Sequence, residues 1–211
     1  MFHDRTYAAF LLEEPLHAYK NTSSIILAIP RGGVPVGYHL SRLLNLPLSI
    51  ALSKKIGHPE NEEFAIGSVT MDDVIIDETH QDVSKKYIAE KTKELKEELS
   101  ARYKRFMEGI PEPDLSGKNV ILVDDGIATG NTVLACVKSI RKKNPRKIIV
   151  AVPVSSTHAQ KVLTPVVDEF ISLIVPPWFH AVGEFYENFD PVEDDEVKRL
   201  LSKAQKAKIM T

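Results

Sequence analysis

Cysteine is almost missing from this chain. One residue in 211, Cys136, carries a thiol, so an intrachain disulfide is excluded. Tryptophan is as scarce, with Trp178 alone. No apolar run approaches the ~20 residues a membrane-spanning helix needs. The N-terminus is charged from His3, Asp4 and Arg5 onward, which does not suit the apolar core of a signal peptide. These absences lead us to expect a cytoplasmic protein without a membrane partner. Charge of one sign is missing too. Lys and Arg number 27 against 29 Asp and Glu, and the formal net charge of −2 gives no global pull toward nucleic acid or anionic lipid. The seven histidines form no His-Glu-x-x-His pair, and Cys-x-x-Cys is absent, which excludes the common zinc motifs. A Gly-x-x-x-x-Gly-Lys-Ser/Thr loop is also lacking, which argues against an ATP P-loop. Neither an internal repeat nor a low-complexity tract interrupts the chain.

What is present is a 43% hydrophobic sequence, long enough to bury a core as one domain over 1–211. A first amphipathic helix is expected over 4–19, with Ala9, Leu12, Leu16 and Tyr19 inward. Residues 24–29 read as a buried strand, followed by a helix with Val36, Leu40, Leu43 and Leu44 on one stripe and Pro35 in its tolerant first turn. Residues 46–52 form the next strand. An excursion over 54–115 holds a hairpin (64–71 with 74–76 around Asp72 and Asp73) and a charged helix over 83–107 with a narrow stripe of Ile88, Leu95, Leu99 and Phe106. Strands follow at 120–123, 147–152 and 167–175, with a short helix near 159–163 and a terminal helix over 194–208. Strands alternating with helices predict an α/β fold: an open, twisted, mainly parallel sheet with helices on both faces.

The stretch from Asn119 to Thr132 carries the most chemistry. Val120 to Val123 read as a fully buried strand. Asp124 and Asp125 end it, a loop with Gly126 and Gly130 follows, and then Val133, Cys136, Val137 and Ile140 share one helical face. On that face Cys136 reads as a small packed hydrophobe. A helix N-terminus after a glycine loop is an anion site, because unpaired backbone N–H groups and the positive dipole end face the ligand. Two carboxylates at its edge would repel a lone phosphate, so the ligand must also bring hydroxyls or a metal for them to hold. The profile fits a sugar phosphate with Mg²⁺. A plain strand–helix turn with Asp125 as a cap is the simpler reading, but a cap needs only one acid. Pro30, Arg31, Gly32 and Gly33 repeat the construction of buried strand, glycine loop and helix. Two such loops side by side at the ends of parallel strands would form a crevice with two anion sites.

The acid pair followed by Ala128, Thr129, Gly130, Asn131 and Thr132 resembles the signature of type I phosphoribosyltransferases, which use 5-phosphoribosyl-1-diphosphate (PRPP). The resemblance implies that Asp124 and Asp125 contact the ribose hydroxyls and that Ala128 to Thr132 hold the 5-phosphate. It puts Pro30, Arg31, Gly32 and Gly33 in the pyrophosphate loop, where family members often have a non-proline cis peptide. Mg²⁺ is the implied cofactor, arriving with PRPP near Asp124 and Asp125, with no residue assigned as a strong direct ligand. Lys54 and Lys55 would offset the leaving group's charge or are plain surface lysines, and the segment from residue 54 to 115 corresponds to a mobile lid. The run from Lys54 to Val69, and Ala181, Val182, Gly183, Phe185 and Tyr186, resemble a narrower group of predicted bacterial phosphoribosyltransferases of unsettled substrate. The likeness extends to about Val192.

The resemblance implies transfer of phosphoribosyl to a nitrogenous base with release of pyrophosphate, a step in nucleotide or nucleoside metabolism, by a chain that forms homodimers in many relatives. Transferases of 6-oxopurines usually carry an aspartate where this chain has Ala128, which argues against that acceptor class. Residues 176–211 would supply a hood and the terminal helix. Trp178, Phe185 and Tyr186, with Phe189, either stack on the acceptor or anchor that terminal segment. The competing function is a PRPP-sensing regulator that contacts RNA or DNA through the 83–107 helix, although Glu94, Glu97 and Glu98 interleave its lysines.

Overall fold

A computed structural model describes residues 1–76 and 83–209. In chain order its elements are α1 (Arg5–Leu16), β1 (Ser24–Ala28), α2 (Gly33–Leu44), β2 (Leu48–Ile50), β3 (Ser53–His58), β4 (Asn61–Thr70) and β5 (Val74–Ile76). There follow α3 (Lys85–Phe106), β6 (Asn119–Val123), α4 (Asn131–Arg141), β7 (Lys147–Val154), α5 (Thr157–Leu163), β8 (Glu169–Ile174) and α6 (Asp194–Ile209). Their starts follow from sequence. Asp4 caps α1 by accepting the Tyr7 N–H (2.7 Å), and Ser84 caps α3 by accepting that of Tyr87 (3.2 Å). Asn45 closes α2 in the left-handed region, where asparagine is tolerated.

Five parallel strands form one sheet in the order β2-β1-β6-β7-β8. Both β1 and β6 are buried at every position. Their side chains alternate between two cores: Ile26, Ala28, Ile121 and Val123 pack with α1, α2 and α6, whereas Ile25, Leu27, Val120 and Leu122 pack with α4 and α5. From β1 the chain moves outward to β2, and later returns to β1's other side as β6. Strand order therefore reverses between β1 and β6, which opens a crevice at their C-terminal ends. Ala28 and Val123 are paired in register, so both following loops leave the sheet at one level.

The inserted segment holds an antiparallel sheet in the order β3-β4-β5. Its first strand differs from the sequence reading, which has only a hairpin there. Lys54, Lys55 and Gly57 give β3 no apolar alternation, and only Ile56 and Gly57 are buried. As an edge strand it tolerates lysines that a central strand would not. The 22-residue helix α3 buries Leu95, Leu99 and Phe106 along the narrow stripe its sequence carries. Among the described residues, no helix is long and apolar enough to cross a membrane.

Candidate functional site

The two glycine loops meet over the ends of β1 and β6. Pro30–Arg31 is a cis peptide, and Gly33 N–H bonds back to the Ile29 carbonyl at 3.0 Å. A Cβ on Gly32 would stand 1.9 Å from Asp125 Oδ2, and one on Gly33 would stand 2.8 Å from the Val123 carbonyl and 2.9 Å from Asp124 Cα. Glycine is what lets the first loop lie on the acid pair. The second loop is fixed from β7 and α5. Ile127 N–H donates to the Val154 carbonyl (2.9 Å), and Ser156 N–H donates to that of Ile127 (2.9 Å). Ser156 Oγ donates to the Ala128 carbonyl while it accepts the Ala159 N–H that opens α5. Gly130 begins α4 at φ +83°, with no side-chain cap on the helix. Ala128, Thr129, Asn131 and Thr132 are exposed around it. First-turn N–H groups and three hydroxyl or amide side chains thus surround one concavity.

Electrostatics single out the acid pair. Burial pushes the Asp124 carboxyl well above the usual carboxylate range, and the neighbouring Asp125 charge pushes it further the same way. The Asp125 N–H donates to Asp124 Oδ1 (2.9 Å), which fixes that carboxylate's direction. Burial raises Asp125 as well, opposed by the Arg5 guanidinium. Arg5 Nε donates to Asp125 Oδ2 at 2.8 Å, with both side chains nearly closed to solvent (12% and 13% exposed). The Tyr186 hydroxyl donates to the Asp125 carbonyl at 2.6 Å. Sequence reasoning misses Arg5, Ser156 and the hydrogen bond from Tyr186. Arg5 leaves one signal: a cation as first residue of a helix opposes the macrodipole and calls for an anionic partner.

The remaining sequence-picked residues fall into separate places. Arg31 is half-exposed and faces the start of α6, with Nη1 3.8 Å from Glu193 Oε2 and 3.7 Å from Asp194 Oδ1. Lys54 pairs with Glu98 of α3. Lys54 and Lys55 share a cleft of about 780 Å³ with Thr129, Asn131 and Thr132, between the small sheet and the start of α4. Trp178 is 81% exposed. Phe185 stacks on Phe179 at 5.4 Å. Tyr186 is buried between Phe2 and Phe189, with ring centroids at 5.3 and 5.0 Å. Val182 comes so close to Gly126 that an added Cβ would lie 2.5 Å from its Cγ1. The C-terminal segment therefore packs directly on the acid-pair loop. Cys136 is buried on the inner face of α4, and burial pushes its thiol up to about 12. Among the described residues there is no group of three or more His, Cys, Asp or Glu side chains arranged to hold a metal.

A sequence-family model described as "Phosphoribosyl transferase domain" matches residues 3–190. Two Mycobacterium tuberculosis proteins, from strains CDC 1551 and H37Rv, are named for an inferred phosphoribosyl transferase activity. Each is 32% identical to this chain over 212 residues, covering 98% of the chain. The chain spans only 47% of the length of these relatives. The crystal structure of TT1426 from Thermus thermophilus is 33% identical, with a TM-score of 0.85 over 96% of this chain and 98% of that one.

Proposed function

This chain belongs to the phosphoribosyl transferase domain family, and from that premise we propose that it moves the phosphoribosyl group of PRPP onto a nitrogenous base and releases pyrophosphate. The observation that carries the reading is the crevice itself. Two glycine loops leave adjacent parallel strands at one level, and two carboxylates lie between them against Gly32 and Gly33. A ligand with a phosphate at one end, a pyrophosphate at the other and vicinal hydroxyls between them matches that sequence of groups.

In this reading Asp124 and Asp125 accept hydrogen bonds from the ribose hydroxyls. Ala128 to Thr132 hold the 5-phosphate with backbone N–H groups and the Thr129, Asn131 and Thr132 side chains. Pro30 to Gly33 receive the pyrophosphate. Arg31 offsets its charge, and Lys54 or Lys55, which line the cleft beside Thr129, Asn131 and Thr132, join it when the lid segment over 54–115 closes. The bond from C1 to the pyrophosphate oxygen breaks and its electron pair leaves with that oxygen. The lone pair of the acceptor nitrogen forms the new C1–N bond, and the proton it carried passes to solvent. Such a loosened, oxocarbenium-like centre is served by positioning and leaving-group stabilisation more than by a covalent nucleophile. Two carboxylates beside substrate phosphates suit Mg²⁺, which keeps few protein ligands; when bound with PRPP it supplies neutralising charge on the pyrophosphate. The hood over 176–211 covers the acceptor, with Trp178 and Phe185 its free or half-free aromatic faces. Ala128 places no carboxylate near the base and disfavours 6-oxopurines.

The test is a turnover assay on the full chain with labelled PRPP, Mg²⁺ and a panel of purine, pyrimidine and other nitrogen heterocycles. Release of pyrophosphate with a single base class supports the transferase. PRPP that binds without release for any base, together with a PRPP-dependent gel shift on RNA or DNA, would favour a sensor instead.

A further inference from the structure

Arg5 stands 120 residues before Asp125 in sequence, yet it meets that carboxylate at 2.8 Å inside the crevice. It is the first residue of α1, where the helix dipole disfavours a cation. The Asp4 cap offsets part of that cost, and the Asp125 pair offsets more. The guanidinium is also fixed from its other sides. Its Nη1 donates to the Asp190 carbonyl at 2.8 Å, and its carbon lies 3.9 Å over the Phe189 ring. Phe189 packs on Tyr186, whose hydroxyl donates to the Asp125 carbonyl. Phe2 pairs with Tyr186 and Phe185 along the same edge. The N-terminus, the C-terminal segment and one acid of the pair are therefore closed into a single network through Arg5.

We propose that Arg5 is a positioning residue: it holds the orientation and charge of the Asp125 carboxylate for the ribose, and ties that carboxylate to the C-terminal segment. This rests on the PRPP reading given above. The geometry explains why such a residue is needed. Asp125 is crowded against Gly32 and the adjacent Asp124 against Gly33, so two full negative charges there repel each other. A fixed cation on Asp125 lets both remain available as acceptors. Arg5 engages Asp125 Oδ2 alone, so the other oxygen is not taken by the guanidinium. Because a carboxylate has about four lone-pair directions, the pair with Arg5 leaves capacity for hydroxyl donors.

A double-mutant cycle on PRPP affinity in the presence of Mg²⁺ separates this role from that of a simple staple. R5Q, D125N and the double variant are compared by calorimetry, and each fold is checked by thermal melting. D125N is expected to weaken binding at least tenfold while leaving it measurable, R5Q to weaken it by about tenfold, and the double variant to be no weaker than D125N alone. R5K, which keeps the charge and loses the planar fork, is expected to recover part of the affinity. An R5Q protein with wild-type affinity, or losses that simply multiply in the double variant, would overturn the proposal. Wild-type affinity in D125N would instead overturn the ribose reading beneath it. Should R5Q fail to fold, F189L removes the ring under the guanidinium and leaves both charges. A several-fold loss that vanishes in the D125N background is then expected, and an unchanged affinity overturns the proposal.

Discussion

Asp124 has lost much of its water and faces a second carboxylate at the next residue, so burial and then the Asp125 charge raise its carboxyl well above the ordinary range. The native state therefore releases this proton at a higher pH than the unfolded chain does. Stability from this group falls as pH rises from the ordinary carboxylate range through the raised native value, and the cost is constant above it. Asp124→Asn removes that cost. The variant should melt about 2–4 °C higher than wild type at neutral pH, corresponding to ~1 kcal/mol, and the two should converge below about pH 4. It should also lose PRPP. Thermal melts across pH check the first claim, and equal melting temperatures at pH 7 would contradict it. The acid pair was legible in the sequence because a strand, two acids and a glycine loop are contiguous. Arg5 was not, because its partner lies 120 positions away and nothing local to 4–6 points there beyond a misplaced helix charge.

Among the elements, the loop between β1 and α2 is the most constrained. Gly32→Ala would drive its Cβ into Asp125 Oδ2. Asp125 has little room to yield, because Arg5 holds its carboxylate and the Tyr186 hydroxyl holds its carbonyl. Overpacking of this kind costs about 1–3 kcal/mol. Because the displaced group is the carboxylate proposed to hold the ribose, PRPP affinity should fall by about tenfold or more at the same time. Melting and calorimetry on one preparation check both, and wild-type affinity in G32A would mean that the two loops do not act as one site. Continuous apolar runs announced β1 and β6, and apolar spacing announced α2 and α4. The edge strand β3 is not legible in the sequence, because Lys54 and Lys55 break the alternation that marks a half-buried strand. Pairing with β4, a tertiary event, makes it a strand.

At the scale of the whole molecule, both chain ends close on the crevice. Phe2 and Arg5 reach it from one end, and Tyr186, Phe189 and the first turn of α6 reach it from the other. Asp194 lies between Arg31 and Arg105, 3.7 and 3.1 Å from their guanidinium nitrogens, so the arginine proposed to meet the pyrophosphate is already paired with an acid of the protein. A half-exposed pair of this length is worth at most about 1 kcal/mol. Asp194→Asn should therefore tighten inorganic pyrophosphate binding by no more than about fivefold at low salt, an effect that fades as salt is added. Looser binding in that variant would mean that Asp194 organises Arg31 and does not compete for it. The central claim is that the crevice between β1 and β6 is a PRPP site with Asp125 at its ribose, and titration calorimetry of Mg²⁺–PRPP into the wild-type chain and into Asp125→Asn tests it most directly. The account predicts one site per chain in the wild type and at least tenfold weaker binding in the variant; equal affinity in the two proteins, or no heat in either, would contradict it.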